Sequence, residues 1–396
     1  MKNGSRIPAY GEGRRSMALM LAALACFCAA LPLPASAQLE RWTLERTVTI
    51  GDAFDPETGL TRVGSVIVQG DRLLVAQPME QRLRVFSLTG DFLGFIGRDG
   101  EGPGEFRRVR SMGLHDGRVW VHDSSLRRLQ YFDADGRFVS SVRIGGHPAL
   151  LGARVRAVLA DGSMLFKYGA SADELVESPP KPEAVFLVDP EWLPQDTVAV
   201  LVGHSQVVRL SDGRSGRTTY SAIPESYRSL LSVAPDGSGF VVVHRNGTTS
   251  AEPHTFRVIR FDARADTAWA REVPYDPVRV PGTWRSRQVE EDARDTQGLG
   301  IPEDRIRQAL ERAYARLEFF PPVRVVRAGA DGSTWLLLRT GVESYEWEVL
   351  DESGHAVARV GPPQGGMAWA DAESLWSVER DELGISYLVR YVIRRP

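Results

Sequence analysis

Short apolar runs alternate with polar residues and end at turn signals throughout the chain after Gly64. In the clearest copy the runs cover residues 112–114, 119–123, 129–133 and 138–144. Asp116-Gly117 lies between the first and second of these runs, and Asp135-Gly136 lies between the third and fourth. Alternation with a period of two is typical of half-buried strands, and Asp-Gly between apolar runs is typical of a hairpin. This copy therefore predicts four antiparallel strands joined by hairpin turns.

The four-strand pattern recurs about every forty-five residues, as in the blades of a β-propeller. We assign the copies to residues 64–97, 110–144, 155–202, 229–274, 322–361 and 367–395. The last copy is one strand short, and residues 42–50 form an isolated strand-like segment before the first copy. A strand from the N-terminus that completes the last blade would close the ring without a free sheet edge. The sequence therefore predicts an all-β, six-bladed β-propeller domain over residues 38–396.

Two of these copies carry the motifs of a known repeat. Gly97-Arg98-Asp99-Gly100-Glu101-Gly102-Pro103-Gly104-Glu105-Phe106 is followed by Val119-Trp120-Val121-His122-Asp123 and Leu129-Gln130-Tyr131-Phe132-Asp133-Ala134-Asp135-Gly136. This passage resembles an NHL-type repeat, and the chain resembles the secreted bacterial six-bladed β-propeller proteins of the NHL-repeat-like superfamily. The resemblance implies the fold and secretion. It implies no particular reaction.

The copies are unevenly spaced because three segments are longer than the repeat requires. Comparable turns fall at Asp116, Asp161, Asp236, Asp331 and Asp371. The extra length lies at 169–182, 203–228 and 275–321. In a propeller, loops between second and third strands and loops between blades open on the same face. We therefore expect all three insertions to decorate one face, where long loops on a rigid scaffold commonly carry function.

The third insertion predicts a short helix. Pro302 suits the first turn, and Glu303 and Asp304 complement the positive end of the helix dipole. One face carries Ile306, Leu310, Ala313 and Leu317. The helix could pack against a blade or act as a lid. We favour packing, because an apolar stripe needs a surface to cover it.

Polar residues end the second strand of every predicted blade. They are Gln77, Asp123, Tyr168, His244, Arg339 and Glu379. Arginines precede five of the first strands, at Arg62, Arg108, Arg154, Arg228 and Arg324. Guanidinium groups around the mouth would bind carboxylates or sulfates through their planar fork. The alternative is an ordinary polar rim in a chain that uses arginine throughout.

A metal site is the other chemistry to weigh, because propeller relatives include gluconolactonase-like and hydroxyglycine-lyase-like metalloenzymes. Zinc needs three converging ligands and an open position. Asp123, His244 and Glu379 fall on one predicted ring and are weak candidates for a divalent metal, although the histidines show no paired spacing. Asp133 begins a segment similar to a calcium loop, but the late glutamate is missing. We interpret it as a hairpin turn and predict no cofactor.

The N-terminus has the features of an export signal. Basic residues precede the apolar segment 17–33, and Ala35-Ser36-Ala37 predicts cleavage before Gln38. A membrane helix is the alternative. Both cysteines, Cys26 and Cys28, lie inside this segment, so a cleaved protein has no disulfide. Lipid anchoring through Cys26 is a minor alternative, since the sequence around it is a poor lipoprotein signal.

The formal net charge of −3 and the lack of a basic run argue against a nucleic-acid partner. Cleavage would also leave no membrane span. The leading hypothesis is a secreted or periplasmic binding module that recognises a small-molecule, glycan or protein ligand on its decorated face. The second hypothesis is a hydrolase or lyase acting at the central mouth, with a divalent metal.

Overall fold

Most of the chain that the structure describes is β-strand. The computed structural model describes residues 39–145, 147–150, 152–168, 182–202, 207–211, 218–222, 225, 227–245, 254–297 and 300–396. The predicted signal peptide at 1–37 and most of the first insertion lie outside these residues. No helix in the described ranges is long and apolar enough to cross a membrane.

The strands of the first half begin with one that precedes the first predicted blade. They are β1 (Glu40–Ile50), β2 (Val66–Gln69), β3 (Arg72–Gln77), β4 (Arg82–Ser87), β5 (Phe92–Ile96), β6 (Arg98–Asp99), β7 (Glu105–Phe106), β8 (Val109–His115), β9 (Arg118–Asp123), β10 (Arg128–Phe132), β11 (Phe138–Arg143), β12 (Ala153–Val158), β13 (Met164–Tyr168), β14 (Glu183–Val188) and β15 (Pro194–Leu201). A 3₁₀ turn at Pro148–Leu150 precedes β12.

The second half contains the two described helices. Its elements are β16 (Val207–Ser211), β17 (Thr218–Ala222), β18 (Leu230–Val233), β19 (Gly239–His244), β20 (Thr255–Asp262), β21 (Thr267–Pro274), α1 (Gly282–Asp295), α2 (Glu303–Tyr314), β22 (Val323–Ala328), β23 (Thr334–Arg339), β24 (Tyr345–Leu350), β25 (Ala356–Val360), β26 (Gly366–Ala370), β27 (Ser374–Arg380) and β28 (Ser386–Arg394).

These strands form the sheets of an all-β propeller. Four sheets each contain four strands in chain order, namely β2–β5, β8–β11, β12–β15 and β18–β21. A larger sheet of eight strands has the order β22-β23-β24-β25-β1-β28-β27-β26. Neighbouring strands within each four-stranded sheet are antiparallel, and described tight turns such as Asp116-Gly117 and Asp135-Gly136 join several of them, as the Asp-Gly sequences predict. At the β8–β9 turn, Asp116 and Gly117 both have positive φ (49° and 69°), the conformation that a two-residue type I′ hairpin requires.

The eight-stranded sheet is held together by β1. This strand pairs antiparallel with β28, from Thr43 opposite Arg394 to Ile50 opposite Leu388. Its first residues also pair parallel with β25, where Trp42 lies opposite Val360. The strand predicted at 42–50 therefore does join the last strand of the chain, and its contact with β25 is an addition that the sequence pattern did not predict.

Hairpin turns between third and fourth strands share one hydrogen-bond pattern. Asp133 Oδ1 accepts the backbone N–H groups of Asp135 and Arg137, at 3.0 and 2.8 Å. The same pattern recurs at Asp262 and Asp351, and also at Asp381 in the turn between β27 and β28. The interpretation of Asp133 as a hairpin turn is therefore confirmed, because its carboxylate satisfies the turn backbone as such residues commonly do.

Two insertions pack against each other and form their own small core. The β16–β17 hairpin contributes Leu210, and α1 and α2 contribute Trp284 and Leu310, all of which are buried. The helix predicted after Pro302 is confirmed as α2, with Ile306 and Leu310 inside. Leu317 is also buried, although it lies beyond the helix end. The two insertions thus bury each other's apolar side chains, which gives the apolar stripe of α2 the covering surface it requires.

The first helix, α1, was not predicted from the sequence. Its buried positions are Trp284, Val289 and Ala293, spread through a segment that is otherwise charged. Such a sparse stripe becomes helical because α2 packs beside it. Tyr314 of α2 donates a hydrogen bond to Asp292 of α1 at 2.6 Å, which joins the two helices.

Candidate functional site

A central cavity lies where the first strands of the sheets converge. Its volume is about 500 Å³, and residues in or beside β2, β8, β12, β18, β22 and β26 line it. The polar lining residues are Ser65, Arg110, Ser111, Arg156, Ser232 and Arg327. Among the residues that the structure describes, no aspartate or glutamate lines this cavity. The cavity is therefore lined by cations and hydroxyl groups between apolar side chains.

Two of the cavity arginines sit on β-bulges. The β8–β9 register skips from Val109 to Ser111, which leaves Arg110 unpaired with β9. The β12–β13 register skips from Val155 to Ala157 and leaves Arg156 in the same situation. A bulge turns a side chain away from the regular alternation, and bulges often occur beside functional sites. The irregular backbone thus directs these two guanidinium groups into the cavity.

Further arginines surround Arg110 at the mouth of the cavity. Burial lowers the pKa of Arg110, and the positive charges of Arg154, Arg108 and Arg62 lower it further. Burial and the charges of Arg110 and Arg154 likewise lower the pKa of Arg156. In the described part of the chain none of these five arginines forms an ion pair with a carboxylate. We call Arg62, Arg108, Arg110, Arg154 and Arg156 the arginine cluster.

Lys167 of β13 borders the arginine cluster, opposite Arg154 in the β12–β13 register. Its amine lies 2.6 Å from a carboxylate oxygen of Glu183, which also pairs with Arg228. Burial, followed by the charges of Arg228, Arg156 and Arg154, lowers the pKa of Lys167 to about 8. Burial is the largest cause of this shift and the three guanidinium groups add to it, so the charged form of the amine is disfavoured beside the arginine cluster.

We predict that the Lys167 amine titrates near pH 8. The chain has three lysines, so ¹³C NMR of the reductively methylated protein resolves each one. Arg156→Gln should raise the Lys167 pKa, because it removes a repelling charge, whereas Arg143→Gln on the outer strand β11 should leave it unchanged. Because the unfolded chain binds this proton up to pH 10.5, Lys167 should make the free energy of unfolding rise with pH between about 8 and 10.5. A measured pKa above 10 would contradict this description of the site.

His122 of β9 pairs with Ser111 of β8 and is buried. Burial lowers its pKa to about 4; the nearby Asp123 opposes this shift and the charge of Arg110 adds to it. The imidazole is therefore neutral at physiological pH and adds no charge to the arginine cluster.

The structure groups three of the five arginines predicted at strand starts. Arg62, Arg108 and Arg154 lie together around Arg110. Arg228 is paired with Glu183 instead. Arg324 is exposed and places its guanidinium 4.9 Å from the ring of Tyr345. The predicted ring of arginines is thus concentrated on one side of the mouth.

Arg339, predicted as a ligand-binding residue, has a different environment. Its side chain is only 2% exposed and pairs with Glu225 at 2.6 Å. Its guanidinium also lies 3.9 Å from the Phe320 ring and 4.6 Å from the Tyr345 ring. These contacts join blade strand β23 to the helical insertion, and both Nη groups of Arg339 donate hydrogen bonds within the protein. We therefore correct this prediction: Arg339 is a structural residue.

The other predicted site residues make local contacts. Asp123 accepts the backbone N–H groups of Arg107, Ser125 and Leu126, at 2.7, 3.0 and 3.0 Å. The Tyr168 ring stacks on Phe186 with centroids 4.9 Å apart. Asp123 is thus a buried turn cap rather than a residue of the mouth.

His244 and Glu379 also contact other side chains of the protein. His244 Nδ1 lies 2.9 Å from Ser229 Oγ, and its pKa is lowered chiefly by burial. Glu379 accepts a hydrogen bond from Tyr391 at 2.6 Å. Within the described ranges no three His, Cys, Asp or Glu side chains are gathered to hold a metal ion. The weak metal candidates Asp123, His244 and Glu379 therefore do not form a common site.

Arg110, Arg156 and Arg327 were not predicted as site residues from the sequence. A signal for the first two is present, because Arg108-Val109-Arg110 and Arg154-Val155-Arg156 repeat the same tripeptide at the start of two first strands. Alternation places both arginines of such a tripeptide on one face of the strand. The bulges that decide how far each side chain enters the cavity have no comparable sequence signal.

Comparisons with known proteins agree with the propeller fold. Residues 56–149 match a family described as a 6-bladed beta-propeller. No curated protein matches the chain. Similar solved structures include a protein of Bacteroides fragilis, at 11% identity over 90% of this chain and 95% of that chain, with a TM-score of 0.46. A DUF4221-family member from Bacteroides vulgatus shows 8% identity over 91% and 100%, with a TM-score of 0.42.

Virginiamycin B lyase from Staphylococcus aureus is similar at the same level. The identity is 10% over 89% of this chain and 99% of that chain, and the TM-score is 0.42. Identities of this size carry no information about ligand or reaction. The function has to be argued from the site itself.

Proposed function

We propose that the protein is a binding module whose central cavity takes an anionic ligand through the arginine cluster. The observation that carries this proposal is the arginine cluster, of which Arg110 and Arg156 line a cavity without a described carboxylate. Natural structures seldom gather cations without compensation, because like charges repel strongly where solvent is limited. A bound carboxylate, sulfate or phosphate would relieve that repulsion and satisfy several guanidinium donors at once.

The wider architecture proposed here is a six-bladed ring. The eight-stranded sheet divides naturally between β25 and β1, where only three residue pairs connect parallel strands. Division there gives the blades β22–β25 and β26–β28 with β1, which join the four separate sheets. The family match over 56–149 supports the same number. We also retain export to the periplasm or cell exterior, and kinship with secreted NHL-like propellers, as proposals that rest on residues 1–37 and on the repeat.

An anion can reach this mouth from the face of the ring on which the insertions emerge. The second insertion connects β15 to β18 and the third connects β21 to β22, so both emerge at the ends where the first strands begin. Arg110 lies beside the end of β9, which is the same end of the ring. The metal-dependent hydrolase or lyase alternative receives no support from the described side chains, since they form no metal-binding group.

Calorimetric titration with citrate at low ionic strength tests the proposal. We expect saturable binding with one citrate per chain. Arg110→Gln should weaken it at least about tenfold, since a hydrogen bond to a charged group contributes about 1.5–3 kcal/mol. Arg143→Gln, on the exposed outer strand of the same blade, is the matched control and should change the affinity less than about twofold. Lack of saturable binding, or an equal loss in both variants, would overturn the proposal.

A further inference from the structure

The cavity arginines lie at different depths along the channel. Arg110 falls between residues paired with Asp123 and His122, beside the end of its second strand. Arg156 lies between Val155 and Ala157, which pair with Phe166 and Leu165 of β13. Those two partners precede the end of β13, at Tyr168, by two and three positions. Strands rise about 3.3 Å per residue. The second guanidinium is therefore attached about 7 Å deeper than the first.

Arg327 occupies the deepest level. It pairs with Trp335, four positions before the end of β23 at Arg339, which places it about 12 Å below Arg110 by the same rise per residue. Arg327 donates Nε–H to the Met367 carbonyl at 2.9 Å and Nη1–H to the Val326 carbonyl at 3.2 Å. No described residue accepts a hydrogen bond from its Nη2. The carbonyl contacts fix the guanidinium in place and leave one nitrogen for a ligand.

Apolar side chains line the level between Arg110 and Arg327. Leu231 pairs with Val242, two positions before the end of β19, and Ala368 sits on a bulge of β26 at a similar depth. Both line the cavity and are only partly buried by the protein. Within the described chain the channel thus offers cations near its mouth, a middle level of apolar side chains and serine hydroxyls with one cation, Arg156, and a single cation at depth.

We propose that the channel selects a linear dianion whose two charged ends are joined by an apolar chain, with one end at Arg110 and Arg156 and the other at Arg327. This inference rests on the proposed function and adds the shape and polarity of the ligand. A compact anion reaches the guanidinium groups of Arg110 and Arg156 but not that of Arg327, which is attached about 12 Å below Arg110. An extended dicarboxylate of eight carbons separates its carboxyl carbons by about 9 Å, from bond lengths near 1.5 Å, and covers the apolar level as it does so.

Calorimetric titration with succinate, suberate and octanoate tests this inference on the wild-type protein. Succinate has the same charge as suberate but a short chain, and octanoate has the same chain length but one charge. We expect suberate to bind at least about tenfold more tightly than either, because a second charge-assisted contact contributes about 1.5 kcal/mol or more. Equal affinities of suberate and succinate would overturn the inference while leaving anion binding intact. Failure of suberate, succinate and citrate to bind would instead overturn the proposed function, and the inference with it.

Variants locate the deep end of the ligand. Arg327→Gln should reduce suberate affinity to that of succinate and leave succinate within about twofold, because only suberate reaches that depth. Arg156→Gln, in the same channel, should weaken both ligands. If Arg327→Gln kept the preference for suberate, the assignment of Arg327 would be wrong. If that variant failed to fold by circular dichroism, the comparison of the three ligands on the wild type would still decide the inference.

Discussion

Replacing Arg339 with methionine should destabilise the protein by about 3–5 kcal/mol, the usual cost of leaving one partner of a buried ion pair alone. Glu225, whose side chain is 12% exposed, would lose its cation, and the Phe320 and Tyr345 rings would lose the guanidinium between them. Chemical denaturation followed by tryptophan fluorescence measures this change. The expected loss is large because the same side chain joins the helical insertion to the propeller.

A double-variant cycle separates the ion pair from simple loss of packing. Arg339→Met with Glu225→Gln should cost less than the sum of the two single changes, since no buried charge is left unpaired. At a temperature low enough for the Arg339→Met variant to stay folded, its citrate affinity should be within about twofold of that of the wild type. A loss below about 1 kcal/mol, or lost citrate binding at unchanged stability, would contradict the structural role assigned to Arg339.

Charge reversal at Arg110 should abolish anion binding and at the same time stabilise the fold. Arg110→Glu removes a ligand contact and places a repelling carboxylate in the cavity, so citrate affinity should fall by more than about 100-fold, equivalent to about 3 kcal/mol. The new carboxylate would lie among Arg154, Arg108 and Arg62, whose charges now repel a cation. The free energy of unfolding should therefore increase by about 0.5–1 kcal/mol, the usual size of an accessible ion pair.

Opposite signs for binding and stability distinguish a binding site from a structural cluster. Functional sites often keep groups in arrangements that lower stability. Arg143→Glu, on the outer strand of the same blade, is the control and should leave both citrate affinity and stability nearly unchanged. If Arg110→Glu lowered stability and binding together, the arginines would be holding the fold rather than waiting for a ligand.

The propeller could be predicted from sequence because the turn and strand signals that define it are local. Asp116 and Asp133 mark hairpins, and period-two alternation marks each strand, so the repeat defines the sheets wherever its length is regular. Pairing of β1 with β28 also followed, because the last copy lacked a strand. The extra pairing of Trp42 with Val360 did not follow, since nothing local specifies which neighbouring sheet a strand end will touch.

The site could be predicted only in part. Arg62, Arg108 and Arg154 were identified because they precede strands, and they do meet at one side of the mouth. Arg339 was predicted because it ends a second strand, yet it is covered by the insertion, whose packing depends on distant residues such as Phe320. Arg110 and Arg156 depend on bulges, which are irregularities of pairing between strands and leave little trace in either strand alone. Position along a strand was predictable, whereas burial and backbone irregularity were not.

Crystallography with selenate tests the central claim most directly, because selenium is located by its anomalous scattering independently of any assumed contact. The account predicts that the strongest peak lies in the central cavity, within hydrogen-bonding distance of Arg110 and Arg156, and that it disappears in Arg110→Glu crystals. A strongest peak on the outer surface of the propeller, with no selenate bound between these arginines, would contradict it.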